Sequence, residues 1–228
     1  MSAKFDIRER TDYILEACRG KRVLHVGCTD MPYTEQKLRG NYLLHADIEK
    51  VAAVQYGIDL SEEGIKMLQD AGFKNLAVGD VEEIATKNPF GDVEFDIILA
   101  GEIVEHLSNP GLFLAGIRPL LKSPDARLII TTVNATCAYR VLYTLLTNDE
   151  KVHPDHVFYY SRKTLTELVR RYNYVVENFC YYPVGREHVP YLNRKNGRLL
   201  FLADRFAKRF RTALGDGVMV TCRLETAA

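Results

Sequence analysis

The chain has 228 residues, of which 47% are hydrophobic and 26% are charged. This length suits one α/β domain that buries its core without disulfide or metal staples. Thirty basic residues balance thirty acidic ones, so no overall field would attract nucleic acid or an acidic membrane. The composition excludes binding to a polyanion through overall charge and argues against nucleic acid as a partner.

The cysteines and the first ten residues indicate the cellular compartment in which the protein resides. The five cysteines are far apart in the sequence and form no CxxC pair, which predicts reduced thiols rather than a disulfide framework. The first ten residues are charged and lack the apolar core of a signal peptide. No apolar run approaches the roughly 20 residues that span a bilayer. We therefore expect a cytoplasmic protein without a transmembrane segment.

Predicted helices and strands alternate along the chain. The spacing of apolar residues predicts helices over 7–19, 34–39, 61–71, 110–121 and 164–172, with Ser61 as an N-cap and Pro110 in a first turn. Short apolar runs predict strands over 22–26, 42–46, 75–78, 95–100, 126–132, 174–180 and 218–223. The alternation indicates an α/β fold, a Rossmann-like doubly wound seven-stranded sheet that is mostly parallel with an antiparallel last strand.

Two connections are longer than the others, at about 134–161 and 181–216. We interpret them as lid-like insertions within a single domain over residues 1–228, because long connections in compact domains commonly carry function. Ligands of doubly wound sheets bind outside the carboxyl ends of the strands. The lids would then cover a ligand held at that edge.

Each of the first four predicted strands ends in a residue suited to a ligand. Gly27 permits a tight turn and a close approach of the backbone. Asp47 could accept hydrogen bonds from a ribose diol, and Asp80 could accept one from the exocyclic amine of adenine. Gly101 ends the fourth strand and is predicted to contact the same ligand.

Several segments together resemble one family. They read VLHVGCTD, HADIEK, VGDVEEI, FDIILAGEIVEHLSNPGLFL, IITTVNA and HPDHVFYYSRKTL. These segments resemble the motifs of class I S-adenosylmethionine-dependent methyltransferases, and the resemblance extends over roughly residues 5–180. It implies S-adenosyl-L-methionine as cofactor and places Gly27, Asp47, Asp80 and Val81 in contact with it.

The first motif departs from the usual pattern of that family. His25 stands where an acid is usual, and Thr29 and Met31 stand where glycines are usual. Asp30 lies in the same loop and is predicted to supply polar contacts to the cofactor. These departures also leave open that the chain is a binding protein that keeps the fold without catalysing methyl transfer.

A cluster of ionisable residues follows the fourth predicted strand. If a helix begins there, Glu102, Glu105 and His106 share one face, and such a face can bind a divalent cation. The ExxEH arrangement resembles metal-dependent O-methyltransferases of ubiquinone biosynthesis, and also small-RNA 3′-end 2′-O-methyltransferases, which add a later histidine. By that resemblance His156 would be the fourth ligand.

Two other interpretations of the cluster stay open. Glu102 and His106 could act on the acceptor without a metal, with His106 as general base, or the cluster could be structural. The predicted function is methylation of an oxygen on a small molecule, such as a sugar, a lipid or a quinone precursor. RNA 2′-O-methylation is the main rival, while the absence of GxGxxG after the first strand argues against a nicotinamide-dependent oxidoreductase. The sequence does not indicate an oligomeric state.

Overall fold

The structure is a computed structural model that describes residues 6–7, 9–183, 205–206 and 209–225. The α-helices with assigned bounds are α1 (Arg10–Cys18), α2 (Thr34–Arg39), α3 (Leu44–Glu49), α4 (Glu62–Asp70), α5 (Pro110–Gly116), α6 (Ala138–Thr147) and α7 (Arg162–Arg171). The strands are β1 (Asp6–Ile7), β2 (Arg22–Val26), β3 (Val54–Asp59), β4 (Leu76–Val78), β5 (Ile97–Gly101), β6 (Arg127–Val133), β7 (Tyr174–Tyr182) and β8 (Gly217–Leu224).

These strands form one sheet in the order β1-β7-β8-β6-β5-β2-β3-β4. β8 runs antiparallel to both of its neighbours, and the other pairs are parallel. The predicted Rossmann-like sheet with an antiparallel last strand is therefore confirmed, and the two-residue β1 adds an eighth strand beside β7. In the register Val26 lies beside Ile58 and Ala100, so β3, β2 and β5 end side by side.

Helices pack on both faces of the sheet. In β5, Ile97 and Leu99 belong to the core on the side of α1 and α3. Ile98 and Ala100 belong to the core on the side of α5 and α7. Successive side chains of a strand point to opposite faces, and a strand buried on both faces has a continuous apolar sequence, as this one does.

The predicted strand over 42–46 is wrong. That run enters helix α3, which buries His45 and Ile48 three residues apart on one helix face. A short apolar run suits a strand or a buried helix equally well, and periodicity alone does not separate them. The second strand of the fold is β3, which ends at Asp59. Asp47 therefore lies within a helix and not at a strand end.

Residues 102–106 form a turn and not the start of a helix. The backbone of Glu102 is left-handed with φ of 58°, and the other non-glycine residues of positive φ in the described ranges are all asparagines. A left-handed residue does not continue into a right-handed helix. The next helix starts at Pro110 as predicted, with Asn109 as its side-chain cap. It ends at Gly116 and is followed by a 3₁₀ turn, short of the predicted residue 121.

The two long connections differ in how far the structure describes them. The connection over 134–161 contains α6. Much of the one over 181–216 lies outside the described residues, which omit 184–204. All five cysteines are buried, and none of them is joined to another in a disulfide. Within the described ranges no helix has the length and apolar character needed to cross a membrane.

Candidate active site

Four neighbouring strands bring their carboxyl ends together at one edge of the sheet. Along this edge lie Asp80 shortly after β4, Asp59 at the end of β3, Gly27 directly after β2, and Gly101 at the end of β5. Three of these four positions were expected from the sequence, and Asp59 takes the place that the prediction gave to Asp47. The edge is the ligand-binding edge of a doubly wound sheet.

Gly27, at the strand-end edge, packs against the turn that follows β5. Its φ is +69°, a region that glycine adopts at no steric cost. Its amide donates to the carbonyl of Ile58 (2.9 Å), and a Cβ there would lie 3.1 Å from Cδ1 of Ile103. The turn that contains Glu102 and Glu105 therefore lies directly against the turn after β2.

Asp59 is the acid that sequence reasoning missed. Its carboxylate accepts backbone hydrogen bonds from Thr29 (3.0 Å) and from Ser61 (3.0 Å), one at each oxygen. Each oxygen keeps a lone pair for a further donor, so a ribose diol could bind as well. Asp47 instead pairs with Lys50 (2.6 Å) on α3. A signal for this strand was present in the sequence. Apolar and polar residues alternate over 54–59, directly before the helix N-cap at Ser61.

The other predicted cofactor residues differ in their exposure and in the partners that they already have. Asp80 is exposed and accepts a hydrogen bond from the amide of Glu82 (2.9 Å), and the adjacent Val81 is buried. Asp30 forms a salt bridge with Lys37, so its carboxylate already has a partner. Contact of these residues with a cofactor stays a prediction.

His25, the departure in the first motif, belongs to a buried polar cluster. Its ring stacks on that of His45 with centroids 5.4 Å apart, and Nε2 of Gln55 donates to Nδ1 of His45 (2.8 Å). Burial lowers the pKa of both imidazoles, that of His45 to about 4. Both rings are therefore neutral at pH 7, and His25 replaces the usual acid with an uncharged core contact.

Arg10 and Tyr182 also lie at this edge, and sequence reasoning missed both. Nε of Arg10 donates to Oγ1 of Thr131 (3.0 Å), and its guanidinium lies 6.0 Å from the centre of the Tyr182 ring. The Tyr182 hydroxyl donates to the carboxylate of Glu102. Glu102 is therefore held by β7 and pairs with a tyrosine at the edge of the site.

The structure brings together three of the four predicted metal ligands. One ligand atom each from Glu105, His106 and His156 lies within 4.8 Å of the other two. The rings of His106 and His156 meet edge to face with centroids 4.6 Å apart. The turn and the connection after β6 thus supply one carboxyl and two imidazole groups to a common point.

The electrostatics of this cluster favour an added cation. Glu105 is fully buried, and its polar neighbours are the side chain of Thr132 and the backbone of Val133. Neither its carboxyl oxygens nor Nδ1 of His156 makes a hydrogen bond of good geometry within the described ranges. Burial, reinforced by Glu102, raises the pKa of Glu105 to about 8. Burial also lowers the pKa of His106 and that of His156, the latter to about 4. A cation bound there would displace the proton of Glu105, and the resulting carboxylate with two neutral imidazoles is a donor set that fits a divalent cation.

The fold and the strand-end geometry together define the class I methyltransferase architecture, in which the cofactor lies across the carboxyl ends of the strands. A family model described as "Methyltransferase domain" matches residues 5–178 of the chain. Because the match covers most of the sequence, the chain belongs to this family of S-adenosylmethionine-dependent methyltransferases.

Curated relatives include several O-methyltransferases. The ubiquinone biosynthesis O-methyltransferase of Azorhizobium caulinodans is 29% identical over 127 residues, which cover 54% of this chain and 44% of the relative. The mitochondrial ubiquinone biosynthesis O-methyltransferase of Schizosaccharomyces pombe is 24% identical over 200 residues, which cover 78% of this chain and 67% of the relative. The match spans less than half the length of the Azorhizobium caulinodans relative and of a second bacterial one from Bradyrhizobium diazoefficiens.

Solved structures share the fold. A SAM-dependent methyltransferase from Archaeoglobus fulgidus aligns with a TM-score of 0.61 at 17% identity, covering 94% of this chain and 91% of that one. The small RNA methyltransferase HEN1 aligns with a TM-score of 0.59 at 18% identity, covering 96% of this chain and 25% of that one. At these identities the likeness supports the fold alone.

Proposed function

We propose that the chain transfers a methyl group from S-adenosylmethionine to a hydroxyl oxygen of a small molecule, assisted by a divalent cation at Glu105, His106 and His156. The observation that carries the proposal is the buried carboxyl of Glu105, which makes no hydrogen bond of good geometry within the described ranges and lies beside two neutral imidazoles. Leaving a buried polar group unpaired costs about 1–3 kcal/mol, so a ligand at this point would relieve a cost that the free protein carries.

The strand ends supply the cofactor contacts in this proposal. Asp59 accepts hydrogen bonds from the ribose, Asp80 and Val81 meet the adenine, and Gly27 lets the backbone approach closely. Arg10, already oriented by Thr131, offers a positive charge to the carboxylate of the methionine end. The bound cofactor supplies a methyl group on a positively charged sulfur, and the protein aligns that group with the acceptor oxygen.

The cluster after β5 would prepare the acceptor oxygen. A divalent cation held there would lower the pKa of an acceptor hydroxyl. Burial lowers the pKa of His106, so its imidazole is neutral at pH 7 and has one lone pair for the cation. The proton that the hydroxyl loses would then pass to the nearby Glu102 carboxylate or to water. Tyr182 restrains Glu102 at the rim of the same site. The balanced net charge favours a small acceptor over RNA.

Methyl transfer from radiolabelled S-adenosylmethionine tests the proposal. The acceptor panel would hold phenols, vicinal diols, sugars, lipid-like alcohols and a short RNA with a free 3′ ribose. We expect an O-methylated small molecule, with activity lost in EDTA and restored by Mn²⁺ or Mg²⁺. Methylation of RNA alone would establish the rival function. Transfer that is indifferent to EDTA would remove the cation from the proposal.

A further inference from the structure

A cavity of about 430 Å³ lies beside the Glu105–His106–His156 cluster. Its walls come from α6 and from the segment that follows it, and much of the surface is apolar, from Val141, Leu145 and Val152. Such a volume is within the range of sites for small molecules, about 300–1,000 Å³. Three exposed apolar side chains around one cavity favour a ligand with an apolar body.

Tyr159 connects this cavity to the proposed catalytic cluster. Its side chain lines the cavity, and its ring centre lies 5.5 Å from that of His156. Its hydroxyl accepts a hydrogen bond from the amide of His153 (3.2 Å). A molecule in the cavity that touches Tyr159 is therefore separated from His156 by a single ring.

Arg140 gives the cavity a positively charged wall. Its guanidinium stacks 4.7 Å from the centre of the Tyr159 ring, and Nη1 donates to the carbonyl of Asn134 (3.2 Å) and to Sγ of Cys137 (3.3 Å). These contacts fix the group in place. Its Nε–H is buried and has no acceptor within the described ranges, so one strong donor remains unpaired.

The remaining charges of the lining leave a net positive charge. Lys151 adds a second cation, and Glu150 is the one acid among the lining residues. Two positive charges against one negative charge leave the wall at +1. A guanidinium fixed by stacking and by two hydrogen bonds favours a carboxylate or a chemically similar anion, because charge-assisted hydrogen bonds are the strong ones.

We propose that this cavity binds the methyl acceptor, and that the acceptor has an apolar body with one anionic group that Arg140 receives. The inference rests on the proposed function, because the hydroxyl end of an acceptor held in the cavity would have to extend past the Tyr159 ring to the cluster that would activate it. The apolar wall holds the body of the molecule, and Arg140 sets its orientation toward Tyr159 and His156.

Two fluorescent probes that differ by one sulfonate test the ligand class. The probe 8-anilinonaphthalene-1-sulfonate carries the anion, and N-phenyl-1-naphthylamine lacks it. We expect Arg140→Met to weaken the anionic probe about tenfold and the neutral probe less than twofold, since only the anionic probe loses a charge-assisted hydrogen bond. Arg140→Lys keeps the charge and should hold the anionic probe within threefold of the wild type.

Two neighbouring leucines of α6 give a matched pair for the apolar wall. Leu145 lines the cavity and is 75% exposed, whereas Leu146 does not line it and is 70% exposed. Leu145→Asp should weaken both probes at least fivefold, and Leu146→Asp, with the same added charge, should leave both within twofold. The proposal would be overturned if Leu145→Asp and Leu146→Asp weakened the binding of the probes equally. It would also be overturned if Arg140→Met and Arg140→Lys lost the same affinity for the anionic probe.

S-adenosylhomocysteine separates failure of this inference from failure of the proposed function. Calorimetry should give the same affinity for S-adenosylhomocysteine with and without the anionic probe, because none of the strand-end residues Gly27, Asp59, Asp80 and Gly101 lines the cavity. Displacement of the probe by S-adenosylhomocysteine would place the probe in the cofactor site and contradict the cavity assignment. If S-adenosylhomocysteine does not bind at all, the proposed function fails, whatever the probes do.

Discussion

Replacing Asp59 with asparagine is expected to weaken the binding of S-adenosylhomocysteine about 100-fold, which corresponds to about 2.7 kcal/mol. Asp59 ends β3 with both carboxylate oxygens oriented by backbone amides. Asparagine keeps the size but loses the charge and one acceptor oxygen, so a ribose hydroxyl loses a charge-assisted bond worth about 1.5–3 kcal/mol. Isothermal titration calorimetry measures the change directly.

Asp47→Asn is the matched control for this experiment. Asp47 pairs with Lys50 on α3, and a partly exposed ion pair of this kind contributes at most about 1 kcal/mol. We expect its affinity for S-adenosylhomocysteine to stay within twofold of the wild type. Loss of binding in Asp47→Asn with normal binding in Asp59→Asn would return the ribose role to Asp47 and contradict the assignment from the structure.

Glu105→Gln is expected to abolish cation binding and to stabilise the cation-free protein. Glutamine has the shape of a protonated glutamate but does not ionise, so the affinity for Mn²⁺ should fall at least about 100-fold, more than the loss of an outer-shell partner usually causes. Electron paramagnetic resonance of free Mn²⁺ measures this affinity. Glu102→Gln is the comparison, and we expect a loss of less than fivefold because Glu102 pairs with Tyr182.

The stability change of Glu105→Gln depends on pH with a defined sign. The pKa of Glu105 is raised from 4.5 to about 8 by burial. Between these values the folded state keeps a proton that the unfolded state releases, so the stability of the wild type falls as pH rises. In EDTA, the variant should be more stable by about 1 kcal/mol at pH 5 and about 3 kcal/mol at pH 7.

Urea denaturation at the two pH values checks this prediction. The difference in the free energy of unfolding between Glu105→Gln and the wild type should widen from pH 5 to pH 7. If it does not widen, Glu105 is not held in the buried state that the structure describes. A Glu105→Gln variant that binds Mn²⁺ as tightly as the wild type would remove Glu105 from the cation site. The first result bears on the structure and the second on the proposed function.

Sequence reasoning located most of the strand ends along this edge of the sheet because the signals there are local. A short apolar run that ends in glycine or aspartate marks a strand end, and the parallel topology brings such ends together. Gly27, Asp80 and Gly101 were found in this way and lie along one edge of the sheet. The same reasoning placed Ser61 as the N-cap of α4, where its side chain accepts from the amide of Gly64.

The second strand was misplaced because a local pattern was ambiguous. The mostly apolar run at 42–46 could belong to a strand or to a buried helix, and only the layout of the whole fold decides between them. The strand that precedes α4 has to end close to Ser61, and β3 does end at Asp59. Fixing the strand from the helix that follows it would have led to Asp59.

Other parts of the site have no local signal at all. The contact of Arg10 with Thr131 joins residues 121 positions apart, and that of Tyr182 with Glu102 joins residues 80 positions apart. The first contact depends on how α1 packs against the sheet, and the second depends on the position of β7 within it. The left-handed backbone of Glu102 was equally hidden, because glutamate seldom adopts it. These features come from tertiary packing and require the structure.

One measurement tests directly whether the cation and the cofactor share a site. It is the ¹³C signal of the transferable methyl group in S-adenosylmethionine bound to the protein, recorded as Mn²⁺ is added. We predict that Mn²⁺ broadens this signal, that EDTA sharpens it again, and that Glu105→Gln removes the effect while the cofactor stays bound. A bound methyl signal that stays sharp in the wild type at saturating Mn²⁺ would contradict a cation-assisted methyl transfer at this site.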